Sequence, residues 1–127
     1  MNEAFTISVV SIDENWQSIF MDRDFASHPR GGMLLTDQIG AKNLRLRQSE
    51  PGYFADWHVA GDATLIVIQQ GILKITLQNG DSKHFKAGDL FIVEDYLPQN
   101  MVFDSSKHGH QAEIVGEEIL KALHIKL

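Results

Sequence analysis

An all-β domain, a sandwich or barrel of eight to ten short strands, is the fold class this sequence predicts. Three observations predict it. Apolar residues alternate with polar ones in several short segments, turn residues recur every eight to twelve positions, and no helical pattern longer than two turns follows Met33.

The elements follow in order. Phe5 to Ile12 (FTISVVSI) is rich in β-branched residues and predicts a strand. Trp16, Ile19 and Phe20 fall at helical spacing, which predicts a short helix around Asn15 to Met21. His28-Pro29-Arg30-Gly31-Gly32 has the composition of a loop. Leu44-Arg45-Leu46-Arg47 alternates, so Leu44 and Leu46 share one face. Strands are further predicted at Tyr53 to Val59, Ala63 to Gln69 and Leu73 to Leu77, with a break at Pro51-Gly52 and a bend at Gly71. Asn79-Gly80 is the strongest hairpin signal, because a type I′ turn needs positive φ at both central residues. His84-Phe85-Lys86, the turn Ala87-Gly88-Asp89, and strands at Leu90 to Val93, Met101 to Phe103, Gln111 to Val115 and Ile119 to Leu127 complete the set. Ile66, Ile68, Leu73, Ile75, Leu77, Phe91, Val93, Met101 and Phe103 are core candidates.

Composition removes several classes of function. The chain has 127 residues, room for one domain, and no cysteine, so no disulfide and no thiolate metal site exist. Its net charge is −6, and its densest basic stretch, Lys42 to Arg47, is interrupted by leucines, which argues against nucleic acid as a partner. The longest apolar run, Leu65 to Ile68, is far short of the roughly twenty residues of a membrane-spanning helix. Met1-Asn2-Glu3 carries an acid where a secretion signal carries a base, and a cytoplasmic location is expected.

Two blocks have a recognisable spacing. The first is Gly52-Tyr53-Phe54-Ala55-Asp56-Trp57-His58-Val59-Ala60, followed by a strand ending at Gln70-Gly71. The second is Phe85-Lys86-Ala87-Gly88-Asp89-Leu90-Phe91-Ile92-Val93-Glu94-Asp95. Together they resemble the two characteristic motifs of the cupin superfamily over roughly Leu44 to Leu127. Residues 1–43 would then be an N-terminal strand with an irregular segment. Asp56-Trp57-His58, Glu94-Asp95 and Gly109-His110 are similar to a subgroup of small single-domain cupins with DWH, ED and GH motifs. Here the stretch Tyr96 to Lys107 is longer than that subgroup's connection.

The resemblance implies a cupin-type double-stranded β-helix, a jelly-roll (RmlC-like) barrel with a central cavity. In metal-binding cupins two histidines and a glutamate come from the first motif and a third histidine from the second. Counting from Gly71 and Gly88 puts those positions at His58, Ala60, Thr64 and Gln99. Alanine has no lone pair to offer, and threonine hydroxyl and glutamine amide are weak neutral donors, so a metal in the usual geometry is not expected. A rebuilt site of Asp56, His58 and His110 is the alternative. Asp56 and His58 share a face if extended, and two imidazoles with one carboxylate match a facial triad.

The ligand-binding candidates are therefore His58, Asp56, Thr64, Gln99 and His110, with no catalytic residue assigned and the cofactor left open. Glu94-Asp95 is read as a polar turn leaving its strand, His108 as solvated, and His84 and His124 as facing outward. Trp57 should face away from His58. Few charged groups then point inward, which favours a neutral or weakly polar ligand. Three functions follow: a small-molecule-binding barrel, a metal-dependent oxygenase or isomerase using the rebuilt site, or a dimeric scaffold. A homodimer is expected, because Phe5 to Ile12, as an edge strand, would need its free backbone groups covered.

Overall fold

The computed structural model describes residues 4–127. Among them 59% lie in strands and none in helix. The eleven strands are β1 (Ala4–Ile12), β2 (Ser18–Arg30), β3 (Met33–Thr36), β4 (Asn43–Ser49), β5 (Phe54–His58), β6 (Thr64–Gln70), β7 (Ile72–Leu77), β8 (Ser82–Lys86), β9 (Leu90–Val93), β10 (His110–Val115) and β11 (Leu120–Lys126). A seven-stranded sheet runs β3-β2-β1-β9-β6-β11-β4 and a four-stranded sheet runs β5-β10-β7-β8. Successive strands cross between the sheets, β4 to β5, β5 to β6 and β6 to β7, so the two sheets form a jelly-roll barrel.

The core lies between the sheets. Ile66 and Ile68 of β6, Leu73, Ile75 and Leu77 of β7, Phe91 and Val93 of β9, and Leu120 and Ala122 of β11 are all buried there. Phe85 of β8 stacks on Phe91 with ring centroids 4.0 Å apart, tying the small sheet to the large one. Burying one such side chain contributes roughly 1.5–3 kcal/mol, so this layer holds the sheets in register.

Several expectations are corrected. No helix forms at Asn15 to Met21. Trp16 has φ +62°, outside the right-handed helical region, and Asp13 Oδ1 accepts from the N–H groups of Asn15 and Gln17, closing a tight turn between β1 and β2. The loop expected at His28 to Gly32 is mostly strand. β2 runs to Arg30, and Gly31-Gly32, at φ +56° and +84°, turn it directly into β3. Asn79-Gly80 does lie at a hairpin, but only Gly80 has positive φ, so the turn is not type I′. Leu77 N–H instead closes on Asp81 C=O across a longer loop, and Asn79 Oδ1 accepts from Asp81 N–H.

No strand covers Met101 to Phe103, which belong to an irregular connection with Phe103 exposed. The sheets are also not wholly antiparallel, since β1 pairs with β9 in parallel. β1 is consequently an interior strand, paired to β2 on its other side, and has no free edge for a second copy to cover.

β4 follows its alternation with the opposite sense from the usual one. Leu44 and Leu46 do share a face, but it is the outer one, where they are 57% and 81% exposed. Arg45 and Arg47 share the inner face with their β11 partners, His124 and Ala122. That inversion sets the electrostatics of the cavity.

Candidate functional site

The cavity opens between the ends of the two sheets. It encloses about 340 Å³, and its walls include Ile66, Leu73, Ile75 and Val93 as apolar surface and His58, His110, Arg47, Tyr53, Thr64, His124 and Lys126 as polar groups. A larger, open groove of about 810 Å³ lies elsewhere, against β1, β3 and β8, and holds neither His58 nor His110. The smaller cavity, with converging polar groups on an apolar wall, is the candidate site.

His58 ends β5 and His110 begins β10, and the two are direct cross-strand partners. Their rings stand 4.4 Å apart between centroids. Gly109 makes this approach possible. Its φ is +85°, and a Cβ there would sit 2.5 Å from the backbone oxygen of His58. The glycine of the Gly109-His110 pair is required by that close crossing of the two backbones.

Each imidazole is held through Nδ1. His110 Nδ1 lies 2.7 Å from Asp95 Oδ2, with both side chains buried. Asp95 also accepts from Ser18 Oγ at 2.6 Å and from Ala60 N–H at 2.9 Å. It is an acceptor in all three bonds, so the proton of neutral His110 sits on Nδ1 and Nε2 keeps its lone pair. His58 Nδ1 donates to the backbone oxygen of Asp56 at 2.6 Å, which fixes the same tautomer. Neither Nε2 has a protein partner among the described residues. The cavity therefore presents two neighbouring acceptors.

Asp95 corrects the expectation of a polar turn. It is fully buried, while its neighbour Glu94 faces the other way and pairs with Arg23 through two bonds of 2.9 Å. Arg23 holds the Glu94 carboxyl below the ordinary carboxylate range, and burial opposes that. Of the five binding candidates, His58 and His110 come together and Thr64 lines the same cavity, its hydroxyl donating to Asp62 C=O. Gln99 lies in an exposed turn away from it.

Asp56 does not join His58. A β-bulge in the β5–β10 pairing lets Ala55 and His58, three residues apart, both face inward, breaking the two-residue alternation. The Asp56 carboxylate is left outside, accepting from Gln111 Nε2 and Trp57 N–H, and these bonds lower its pKa. The rebuilt Asp56, His58, His110 triad is thus not assembled. Among the described residues no group of three or more His, Cys, Asp or Glu side chains is placed to hold a metal ion. His58 and His110 alone offer free imidazole lone pairs, since His124 Nε2 is taken by Arg47, and two cations share the cavity, so it does not fit a divalent metal.

The opposite wall is cationic, against the expectation of few inward charges. Arg47 Nε donates to Ser49 Oγ at 3.1 Å, and the guanidinium lies 4.9 Å over the Tyr53 ring. Its Nη1 is 3.3 Å from His124 Nε2, which must accept, since guanidinium only donates. Burial holds the His124 pKa below its ordinary value, and Arg47, Lys126 and Arg45 push the same way. His124 therefore lines the cavity as a neutral ring, not as the outward-facing residue expected. His108 is likewise buried, its Nδ1 accepting from Asp104 N–H in the connection before β10.

Fold and site together define a jelly-roll barrel with a polar-ended cavity between its sheets. No family model and no curated protein matches the sequence. Among solved structures the chain is similar to one assigned to ethanolamine utilization protein Q of Salmonella typhimurium LT2, at 15% identity and TM-score 0.44, covering 99% of this chain and 96% of that one. It is similar to the cupin domain of Schizosaccharomyces pombe Cnp3 at the same identity and TM-score, covering 98% and 88%.

Proposed function

We propose that this protein binds a small organic molecule in the cavity between its sheets, through the paired imidazoles of His58 and His110. The observation that supports it most is the buried Asp95–His110 pair. A fully buried carboxylate is costly unless bonded, and here its three bonds set the tautomer of one ring beside a second ring set the same way. Two Nε2 acceptors side by side suit a ligand carrying a hydroxyl or N–H donor. The cavity, at about 340 Å³, has room for a small organic molecule.

The same arrangement gives His110 the form of a base, with its proton anchored on Nδ1 and Nε2 open. A cytoplasmic setting accords with the absence of cysteine. The binding function is tested by a thermal-shift screen of small hydroxyl- and N–H-bearing molecules on the wild type and on His58→Phe, which removes one of the two Nε2 acceptors. Compounds that raise the wild-type melting temperature should leave the variant unmoved. Hits that stabilise both equally would refute the site.

We also infer a homodimer through the outer face of the large sheet. Leu46, Leu123, Val67 and Leu90 form one cross-strand apolar row there, and Leu44, Ile125 and Leu65 a second. Contiguous apolar rows on a sheet face are the kind of surface a second copy covers.

A further inference from the structure

We propose that the ligand is a small carboxylate, with its anionic end on Arg47 and its uncharged part against the apolar wall, taking the cavity to be the binding site inferred above. One donor of Arg47 is unmet. Arg47 Nη2 is buried and has no hydrogen-bond partner among the described residues. The rest of the side chain is already committed, Nε to Ser49, Nη1 to His124 and the guanidinium plane to Tyr53. A buried donor left unpaired is unfavourable, and three fixed contacts hold it in place. Such bracing suits an incoming acceptor rather than a side chain free to find its own.

The surrounding charge points the same way. Arg47 and Lys126 both line the cavity, and among the described residues no aspartate or glutamate does. This is a local excess of positive charge in a chain whose net charge is −6. Asp95, the acid nearest the paired rings, is used up behind His110 and faces three donors. Planar guanidinium matches a carboxylate or phosphate group. The remaining wall is Ile66, Leu73, Ile75 and Val93, which would desolvate a phosphate dianion without bonding its further oxygens. A monocarboxylate whose compact branched or aromatic body carries a hydroxyl meets Arg47, the apolar wall and the paired Nε2 acceptors.

The test is calorimetric titration with mandelate and 2-hydroxyisovalerate, each beside its amide, and with inorganic phosphate. One charge-assisted bond makes about a tenfold to hundredfold difference in affinity. The carboxylates should bind at least tenfold more tightly than their amides and more tightly than phosphate. Arg47→Met should erase the difference, and Arg47→Lys, which keeps charge without the fork, should retain part of it. Both variants lie on an exposed edge strand, and their melting curves check that they fold. Amides binding as well as acids, or phosphate binding best, would overturn the carboxylate assignment while leaving the cavity as a ligand site. Failure of every acid, every amide and phosphate to bind would overturn both.

Discussion

Replacing Asp95 with asparagine isolates what the buried carboxylate does. The wild-type group accepts from Ala60 N–H through Oδ1 and from Ser18 Oγ and His110 Nδ1 through Oδ2. In the variant an amide oxygen can keep the Ala60 bond, but an amide nitrogen then faces two donors. Ser18 can rotate, and His110 can accept on Nδ1 by moving its own proton to Nε2. Two charge-assisted bonds, worth about 1.5–3 kcal/mol each, become ordinary ones worth about 0.5–1.5. The expected loss is about 2–3 kcal/mol. For 127 residues the unfolding entropy is roughly 0.27 kcal/mol/K near 60 °C, so the melting temperature should fall by roughly 7–11 °C. Long-range nitrogen–proton correlation spectra should show the His110 proton on Nε2, and ligands that need an acceptor there should be lost. A variant melting within about 2 °C of wild type, its His110 proton still on Nδ1, would refute the reasoning.

Three further outcomes are expected. Gly109→Ala places a Cβ 2.5 Å from the His58 backbone oxygen at φ +85°, and the combined strain and overpacking should cost about 2–5 kcal/mol; denaturant unfolding measures it, and a loss under about 0.5 kcal/mol would mean the backbones do not cross as described. His124 has its pKa lowered by burial and the neighbouring cations, so its unfolded form binds a proton first. Its contribution to stability should be complete above about pH 6.5 and decline as pH falls below that value toward its lowered folded pKa, and His124→Gln should flatten denaturant midpoints measured between about pH 6.5 and 5.5. Leu44→Glu with Leu46→Glu puts two charges on the outer apolar rows, and sedimentation should show a dimer become a folded monomer; a wild type that sediments as a monomer would remove the inferred interface.

Much of this fold was legible because strand alternation is local. Ile66, Ile68, Leu73, Ile75, Leu77, Phe91 and Val93 were all placed in the core by period alone, and all are buried. What failed depended on partners distant in sequence. Trp16, Ile19 and Phe20 have helical spacing, yet β2 is set by nine residue pairs with β1. Leu44 and Leu46 alternate with arginines, but alternation does not say which face turns inward, and here the arginines do. The histidine pair was legible from motif resemblance, whereas Asp56 was misplaced because a bulge cannot be read from one strand. Asp95 was missed in its role, although Glu94-Asp95 stood in the motif, because only the fold brings Ser18, Ala60 and His110 around it. Arg47 and Lys126 carried no sequence signal beyond the alternation of their strands.

The most direct test of the paired-imidazole cavity is a nitrogen–proton correlation spectrum of both histidine rings, recorded free and with the tightest-binding small molecule. Protons are expected on Nδ1 of His58 and His110 in the free protein, with both Nε2 resonances moving together as ligand is added. Protons on Nε2 in the free protein, or Nε2 resonances unmoved at saturating ligand, would contradict it.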